Sequence, residues 1–191
     1  MLFPPDLLLN AYVQGYFPMA FPDGEHYWYD PNPRAIMPLD ARFHVTHRLA
    51  RTVRQQRFDI VINRDFAAVV GHCADRDETW ISDEIAAAFR ELHRLGYAHS
   101  IEAWRGGALV GGLYGMALGG FFAGESMFSA ERDASKVVLV ELVRHLRRQQ
   151  FTLFDVQFLT AHLAQFGAYE IPRSEYKRRL RRAIQQTRWF V

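Results

Sequence analysis

The segment ALVGGLYGMALGGFFAGESMFS, residues 108–129, gives the strongest indication of the fold class. Two apolar, β-prone runs lie on either side of Gly119-Gly120, and a glycine pair between such runs is typical of a β-hairpin. The sequence therefore predicts strands over 108–118 and 120–127. The other predicted elements are arranged around this hairpin.

Helices and strands alternate on both sides of the hairpin. Ser82 is a good N-cap for a helix that ends near Gly96, and Thr46 is suited to cap an earlier helix. The remaining predicted elements are a strand over 58–62, a helix over 65–73, a strand over 97–104, a helix over 134–148, a strand over 152–158 and a last helix that Ser174 caps. Residues 1–40 hold seven of the eight prolines and are expected to be irregular apart from a short helix over 5–15. This order indicates an α/β or α+β sheet domain.

Length and composition place the chain among ordinary globular proteins. It has 191 residues, of which 49% are hydrophobic and 23% charged, and these values exclude a disordered or collagen-like chain. The one cysteine, Cys73, excludes an intramolecular disulfide framework and suits a reducing compartment. No apolar run reaches transmembrane length, and the N-terminus lacks the basic region of a signal peptide. We therefore expect a cytoplasmic protein with no membrane partner.

Positive charge is concentrated at the C-terminus. The whole chain has a formal net charge of +2, whereas residues 171–191 hold seven basic residues against the single acid Glu175. A basic segment of this kind can follow the phosphate backbone of a nucleic acid. It is equally typical of a solvated helix face, and composition alone leaves both interpretations open.

Glu125 is unusual because it lies in a strand whose other residues are predicted to be core. A buried carboxylate is costly unless it is paired or hydrogen-bonded. The alternative is a glutamate at the end of a strand that faces solvent. The surrounding Phe121, Phe122, Met127 and Phe128 favour a role in a pocket.

Asp155 and Gln157 interrupt a second apolar strand, in the run Leu-Phe-Asp-Val-Gln-Phe. Residues i and i+2 of a strand point to the same face, and a carboxylate beside an amide can orient an amine and accept its proton. Aspartate is a poor strand former, so its presence here requires a reason. Capping of a neighbouring loop by Asp155 would also explain it, and both interpretations remain open at this point.

Metal and nucleotide chemistry find little support in the sequence. His72, Cys73, Asp75 and Asp77 have the side chains of metal ligands but match no zinc spacing, so no metal is expected. The glycine pairs form neither a dinucleotide fingerprint nor a phosphate-binding loop.

Blocks of residues along most of the chain resemble the leucyl/phenylalanyl-tRNA–protein transferase family. The most characteristic blocks are Gly-Glu-Ser-Met-Phe-Ser over 124–129 and Asp-Val-Gln over 155–157. The others lie at 9–12, 15–19, 28–31, 33–34, 77–81, 92–102, 109–115, 134–136, 162–163 and 166–168. Their order and spacing make the resemblance specific over about residues 5–180.

The resemblance implies an activity and a domain organisation. The family moves Leu or Phe, and less readily Met, from aminoacyl-tRNA to an N-terminal Arg or Lys of a protein, which then enters the N-degron pathway of protein degradation. The main domain of the family is similar to GNAT-type acyltransferases. We accordingly expect an abbreviated N-terminal segment over 1–57, a GNAT-like catalytic domain over 58–191, no cofactor and a monomer.

The resemblance also implies roles for individual residues. Asp155 and Gln157 match the catalytic pair: Gln157 orients the attacking amine, and Asp155 either polarises Gln157 or takes the proton. Glu125 would hold the α-amino group or the ribose of the donor. The residues that match the side-chain pocket are Leu113, Phe122, Met127, Leu139, Leu142 and Leu146.

Further roles concern the tRNA. Trp80 and Tyr12 are candidates to stack on the terminal adenosine. The residues expected to contact tRNA phosphates are Arg51, Arg54, Arg57 and the run 177–182 with Lys177, Arg178 and Arg181.

Two other functions compete with this interpretation. An N-acyltransferase that uses acyl-CoA would need a glycine-rich loop before the helix over 134–148, and that position carries Glu131 and Asp133 instead. A tRNA-binding module without catalysis would use the basic C-terminus but would leave Glu125, Asp155 and Gln157 unexplained.

Overall fold

A computed structural model describes residues 3–21, 23–77 and 79–191. The strands are β1 Phe17–Ala20, β2 His26–Tyr29, β3 Arg34–Met37, β4 Asp59–Ile62, β5 Ala98–Arg105, β6 Ala108–Leu118, β7 Phe121–Ser129, β8 Leu153–Gln157 and β9 Tyr169–Ile171. The helices are α1 Pro5–Gln14, α2 His47–Arg54, α3 Phe66–Ala74, α4 Asp83–Arg94, α5 Ala134–Arg148, α6 Ala161–Ala164 and α7 Arg173–Ile184.

Seven of these strands form one mixed sheet in the order β4-β5-β6-β7-β8-β3-β9. Neighbouring strands pair antiparallel except β7 and β8, which are parallel and are connected through α5. β1 and β2 form a separate two-stranded hairpin. The expected mixed α/β fold around the hairpin over 108–129 is therefore confirmed.

Apolar residues on the two faces of the large sheet form two core clusters. Neighbouring residues of β6 enter different clusters, since Tyr114 belongs to one and Leu113 to the other. Helices α1, α3, α4 and α7 contribute to the first cluster, and α2 and α5 contribute to the second. The side chains on the two faces of the middle strands therefore pack into different core clusters.

The predicted helix starts at Thr46 and Ser82 are confirmed. The Thr46 hydroxyl accepts a hydrogen bond from the Leu49 amide at 3.3 Å, and the Ser82 hydroxyl accepts one from Ile85 at 3.2 Å. The expected cap at Ser174 is wrong, because α7 begins at Arg173 with Pro172 as its N-cap. Pro172 offers no side-chain cap, but its φ of −56° and ψ of 143° give the extended backbone that an N-cap residue adopts.

The N-terminal region is more regular than expected. Residues 17–37 contain β1, β2 and β3, whereas the sequence predicted only a short helix in the first forty residues. β3 lies between β8 and β9, and all four of its residues are buried, so it lacks the alternation that marks a half-exposed strand. A strand of the segment 1–57 is therefore part of the sheet that the segment 58–191 builds. Across the described residues, no helix has the length and apolarity to cross a membrane.

Candidate active site

Glu125 occupies an irregular point of the central hairpin. Tyr114 pairs with Ser126 and Gly115 pairs with Gly124, so Glu125 is an extra residue in β7 that has no partner across the ladder. A bulge of this kind redirects a side chain. Gly115 is required opposite it, because a Cβ there would lie 2.2 Å from the Ala123 carbonyl oxygen.

The Glu125 carboxyl is buried and accepts two hydrogen bonds. The Tyr12 hydroxyl donates to Oε1 at 2.7 Å, and the Gln157 Nε2 donates to Oε2 at 3.2 Å. Burial raises the pKa of Glu125 to about 8, although both hydrogen bonds act in the opposite direction. Burial therefore favours the neutral form of this carboxyl.

Asp155 lies at the centre of a closed network of donors. Arg34 Nε donates to Oδ1 at 2.9 Å and Nη2 donates to Oδ2 at 2.6 Å. The Tyr176 hydroxyl donates to Oδ2 at 2.8 Å, and the Gln157 backbone amide donates to Oδ1 at 2.9 Å. Asp155 and Arg34 are both 0% exposed. The carboxylate has four donors and no contact with solvent.

Gln157 is hydrogen-bonded to both carboxyl groups, to Asp155 through its backbone amide and to Glu125 through its side chain. Its backbone has a φ of 64°, a left-handed conformation that is uncommon for a residue with a side chain. The pairing of β3 and β8 is irregular here, because Asp155 pairs with Ile36 and Gln157 with Ala35. The expected contact between Asp155 and the Gln157 amide group is replaced by a bond to the Gln157 backbone. The side chain of Gln157 points instead to Glu125.

Glu125 is one of the residues that line a mostly apolar cavity of about 250 Å³. Three of the six predicted pocket residues line it: Leu113, Met127 and Leu139. The sequence missed the contributions of β8 and the segment after it, which supply Phe154, Val156, Phe158, Thr160, His162 and Leu163. Their approach to the cavity depends on how β8 pairs with β7, which no local pattern shows.

The other three predicted pocket residues lie in the core. Phe122 packs against Phe154 and Phe190, at 5.5 and 5.3 Å between ring centroids. Leu142 and Leu146 are fully buried but are not among the residues that line the cavity. They lie about one and two turns beyond Leu139 on α5, which carries them away from the cavity.

The two aromatic residues predicted to stack on adenosine are placed differently. Tyr12 is 0% exposed, so its ring offers no face to a base, and the predicted stacking does not fit this structure. Its role here is to donate to Glu125. Trp80 is partly buried against the first core cluster and retains some exposed surface. Stacking by Trp80 stays a prediction.

The predicted phosphate-binding residues lie on two surfaces. Arg51, Arg54 and Arg57 are exposed at the end of α2, where the latter two border a polar cleft. On α7, Lys177 forms an ion pair with Asp30 at 2.6 Å, while Arg178 pairs with Glu175 and Arg181 is exposed. In the described parts of the chain, no three metal-binding side chains gather in one place.

Comparison with known proteins gives a consistent result. The family description "Leucyl/phenylalanyl-tRNA protein transferase" matches residues 36–181, and the N-terminal domain of the same family matches residues 1–32. A leucyl/phenylalanyl-tRNA–protein transferase from Herpetosiphon aurantiacus is 56% identical, with 97% of each chain covered. A protein of that name from Rubrobacter xylanophilus is 52% identical, with 100% of each chain covered.

A solved structure resembles the fold at low sequence identity. The C-terminal domain of a putative lysylphosphatidylglycerol synthetase from Agrobacterium fabrum has a TM-score of 0.53 and 15% identity, covering 88% of this chain and 64% of that one. This likeness concerns the fold alone, and the GNAT-like classification stays a prediction. The family matches and the highly similar relatives together show that the chain belongs to the leucyl/phenylalanyl-tRNA–protein transferase family.

Proposed function

We propose that this chain transfers Leu or Phe, and less readily Met, from aminoacyl-tRNA to the N-terminal Arg or Lys of acceptor proteins. Family membership makes it an aminoacyltransferase. The observation that carries the proposal is the position of Glu125, which accepts two hydrogen bonds and lines an apolar cavity sized for a side chain. The product would enter the N-degron pathway in the cytoplasm.

The reaction requires little covalent chemistry from the protein. The acceptor amine nitrogen bonds to the carbonyl carbon of the aminoacyl ester, and the bond from that carbon to the terminal ribose oxygen breaks. The amine loses a proton and the ribose oxygen gains one. Because the ester is already activated, positioning of the two substrates supplies much of the rate enhancement.

Gln157 is suited to orient the attacking amine. Its amide nitrogen donates to Glu125, which leaves its amide oxygen to accept a hydrogen bond from the amine. Its backbone is fixed by the hydrogen bond to Asp155, and the bond from Nε2 to Glu125 holds the side-chain amide in one orientation. An oriented acceptor of this kind selects the attack geometry without exchanging a proton itself.

Glu125 is suited to supply the proton that the ribose oxygen gains. Burial favours the neutral form of this carboxyl, which can donate a proton to the departing oxygen and then recover one from the amine. This assignment extends the expected role of Glu125 in holding the ribose. Asp155 already accepts four hydrogen bonds, which favours an orienting role over that of a base.

The cavity supports the choice of donor amino acid. Leu, Phe and Met are unbranched at Cβ and can enter it end-on between Leu113 and Leu139. Val and Ile carry a second substituent on Cβ, which would press on the cavity wall close to the donor backbone beside Glu125. One methylene changes hydrophobic binding by only about 1–3 kcal/mol, so steric exclusion at this wall must contribute to the rejection of Ile.

The remaining parts of the proposal concern organisation. We regard the chain as a monomer with a GNAT-like catalytic domain over 58–191 and an N-terminal segment over 1–57. The segment 1–57 would then contribute to the site directly, because Tyr12 and Arg34 belong to it.

A transfer assay with matched donors tests this function. A peptide beginning with Arg is incubated with tRNAs charged with Leu, Phe, Met, Val or Ile, and its mass is measured. We expect addition of one Leu or Phe, slower addition of Met, and little addition of Val or Ile. An acyl-CoA donor serves as the comparison. Acylation from the CoA donor, or equal use of all five tRNAs, would contradict the proposal.

A further inference from the structure

Arg34 is a buried cation whose donors reach three separate elements. Besides its two bonds to Asp155, Nη1 donates to the Gly15 backbone carbonyl at 2.9 Å and Nη2 lies 3.3 Å from the Tyr176 hydroxyl. The Phe17 and Tyr176 rings pack against the guanidinium, with their centroids 4.8 and 4.4 Å from its central carbon. The planar fork of arginine can make these contacts together, whereas a lysine ammonium cannot.

One of these contacts fixes the element that carries Tyr12. Gly15 ends α1 in a left-handed conformation with φ 92°, and its amide donates to the Tyr12 carbonyl. Because Arg34 binds the Gly15 carbonyl, it holds the last turn of α1 against the sheet. That turn places the Tyr12 hydroxyl on Oε1 of Glu125.

A second contact fixes the element that carries Gln157. Oδ1 of Asp155 accepts from both Arg34 Nε and the Gln157 backbone amide. The Arg34 fork therefore sets the orientation of the carboxylate that stabilises the left-handed backbone of Gln157. That backbone directs the Gln157 amide to Oε2 of Glu125. Both donors to Glu125 thus come from segments that Arg34 anchors.

Arg34 and Asp155 also act on Glu125 through their charges. Asp155 disfavours the ionised form of Glu125, and Arg34 favours it. The other groups that face Glu125 are Tyr12 from α1, Tyr114 from β6 and Gln157 from β8. From α3 and the loop after it, Cys73 and Arg76 lie against the next residues of β7, Ser126 and Met127. Loss of the Arg34 charge should therefore raise the pKa of Glu125, and loss of the Asp155 charge should lower it.

We propose that Arg34 is a positioning residue for transfer, which holds both donors of Glu125 in place and balances the charge of Asp155 beside it. The proposal rests on the proposed function for its kinetic consequences. Its electrostatic part concerns the protein alone, so it can be tested without substrate.

The first test is a carboxyl titration by infrared difference spectroscopy, in which the Glu125 band is identified by its loss in Glu125→Gln. Arg34→Gln should raise the midpoint of the titration and Asp155→Asn should lower it, so the two midpoints should shift in opposite directions from that of the parent. Arg94→Lys is the control, because Arg94 forms an exposed pair with Glu91, and it should leave the midpoint unchanged. Shifts of the same sign, or no shift in either variant, would overturn the proposal.

The second test separates the charge of Arg34 from its geometry. Arg34→Lys keeps a positive charge but loses the planar fork. The titration midpoint of Glu125 should therefore shift less in Arg34→Lys than in Arg34→Gln. Its single-turnover transfer of Phe from charged tRNA to an Arg-starting peptide should fall at least tenfold, with little change in tRNA affinity. A parental rate in Arg34→Lys would overturn the positioning role, and this holds even where Arg34→Gln fails to fold. Absence of transfer by the parent enzyme would contradict the proposed function instead and leave the titration result standing.

Discussion

At the scale of single residues, the buried carboxyl of Glu125 couples folding to pH. Its pKa is about 8 in the folded protein, against an ordinary value of 4.5. The folded state therefore binds more protons than the unfolded state between these values. The contribution of Glu125 to stability is fully present below about pH 4.5 and is lost as the pH rises through 8.

The substitution Glu125→Gln should remove this dependence. We expect its free energy of unfolding, relative to the parent, to increase with pH between about 4.5 and 8 and to level off above that range, by up to several kcal/mol. Denaturant unfolding of both proteins at a series of pH values measures the difference. A constant difference across the series would show that Glu125 titrates at an ordinary pKa.

Polar residues in apolar strands were the part of the site that could be predicted from the sequence. Glu125, Asp155 and Gln157 interrupt runs that otherwise belong to the core, and a buried polar group requires partners. Arg34 could have been noticed on the same ground, as an arginine that opens the apolar strand Arg34-Ala35-Ile36-Met37. Its role was missed because its partner Asp155 lies 121 residues away, so only the tertiary structure brings the two together.

At the scale of elements, one part of helix α5 lines the cavity and another part packs only in the core. Leu139 and Leu146 are both fully buried on this helix, yet only Leu139 lines the cavity. The helical periodicity predicted correctly that they share a face. It could not predict where along the helix the cavity ends, because that depends on β8 and the segment after it.

This difference predicts distinct effects of two matched substitutions. Leu139→Ala should change the ratio of Leu transfer to Phe transfer, since it enlarges the cavity. Leu146→Ala should leave that ratio unchanged and should lower the free energy of unfolding by about 2–5 kcal/mol, as expected for a core leucine. Transfer from Leu- and Phe-charged tRNA, together with denaturant unfolding, distinguishes the two. A ratio of Leu to Phe transfer that changes in Leu146→Ala but not in Leu139→Ala would show that the donor side chain binds elsewhere.

The strands of the N-terminal region could not be predicted from the alternation of apolar and polar residues. β3 has four residues, all buried, and its position between β8 and β9 is set by pairing with distant parts of the chain. The long elements α4, α5, β6 and β7 were predictable because their caps, turns and apolar faces are local features.

At the scale of the whole molecule, the uneven charge predicts how tRNA is held. An enzyme that accepts several tRNAs should contact phosphates rather than base edges. The exposed arginines Arg51, Arg54 and Arg57 offer one surface for this purpose, and the segment 177–182 offers another.

Binding of charged tRNA should therefore weaken steeply with salt. The double substitution Arg54→Gln/Arg57→Gln should reduce the slope of log affinity against log salt by about 1–2. Arg94→Gln, on another surface, is the control for removing an exposed arginine and should have a smaller effect. Affinity that stays flat between low and moderate salt would contradict binding through phosphates.

The most direct test of the account is the single-turnover rate at which Phe passes from charged tRNA to an Arg-starting peptide, compared between the parent and Gln157→Ala. The proposal assigns Gln157 to orient the amine in the transition state, so we predict a loss of about 100-fold in rate with tRNA affinity unchanged. Gln185→Ala, at the end of α7, is the matched control. Equal rates in the parent and Gln157→Ala would contradict the assignment of the site.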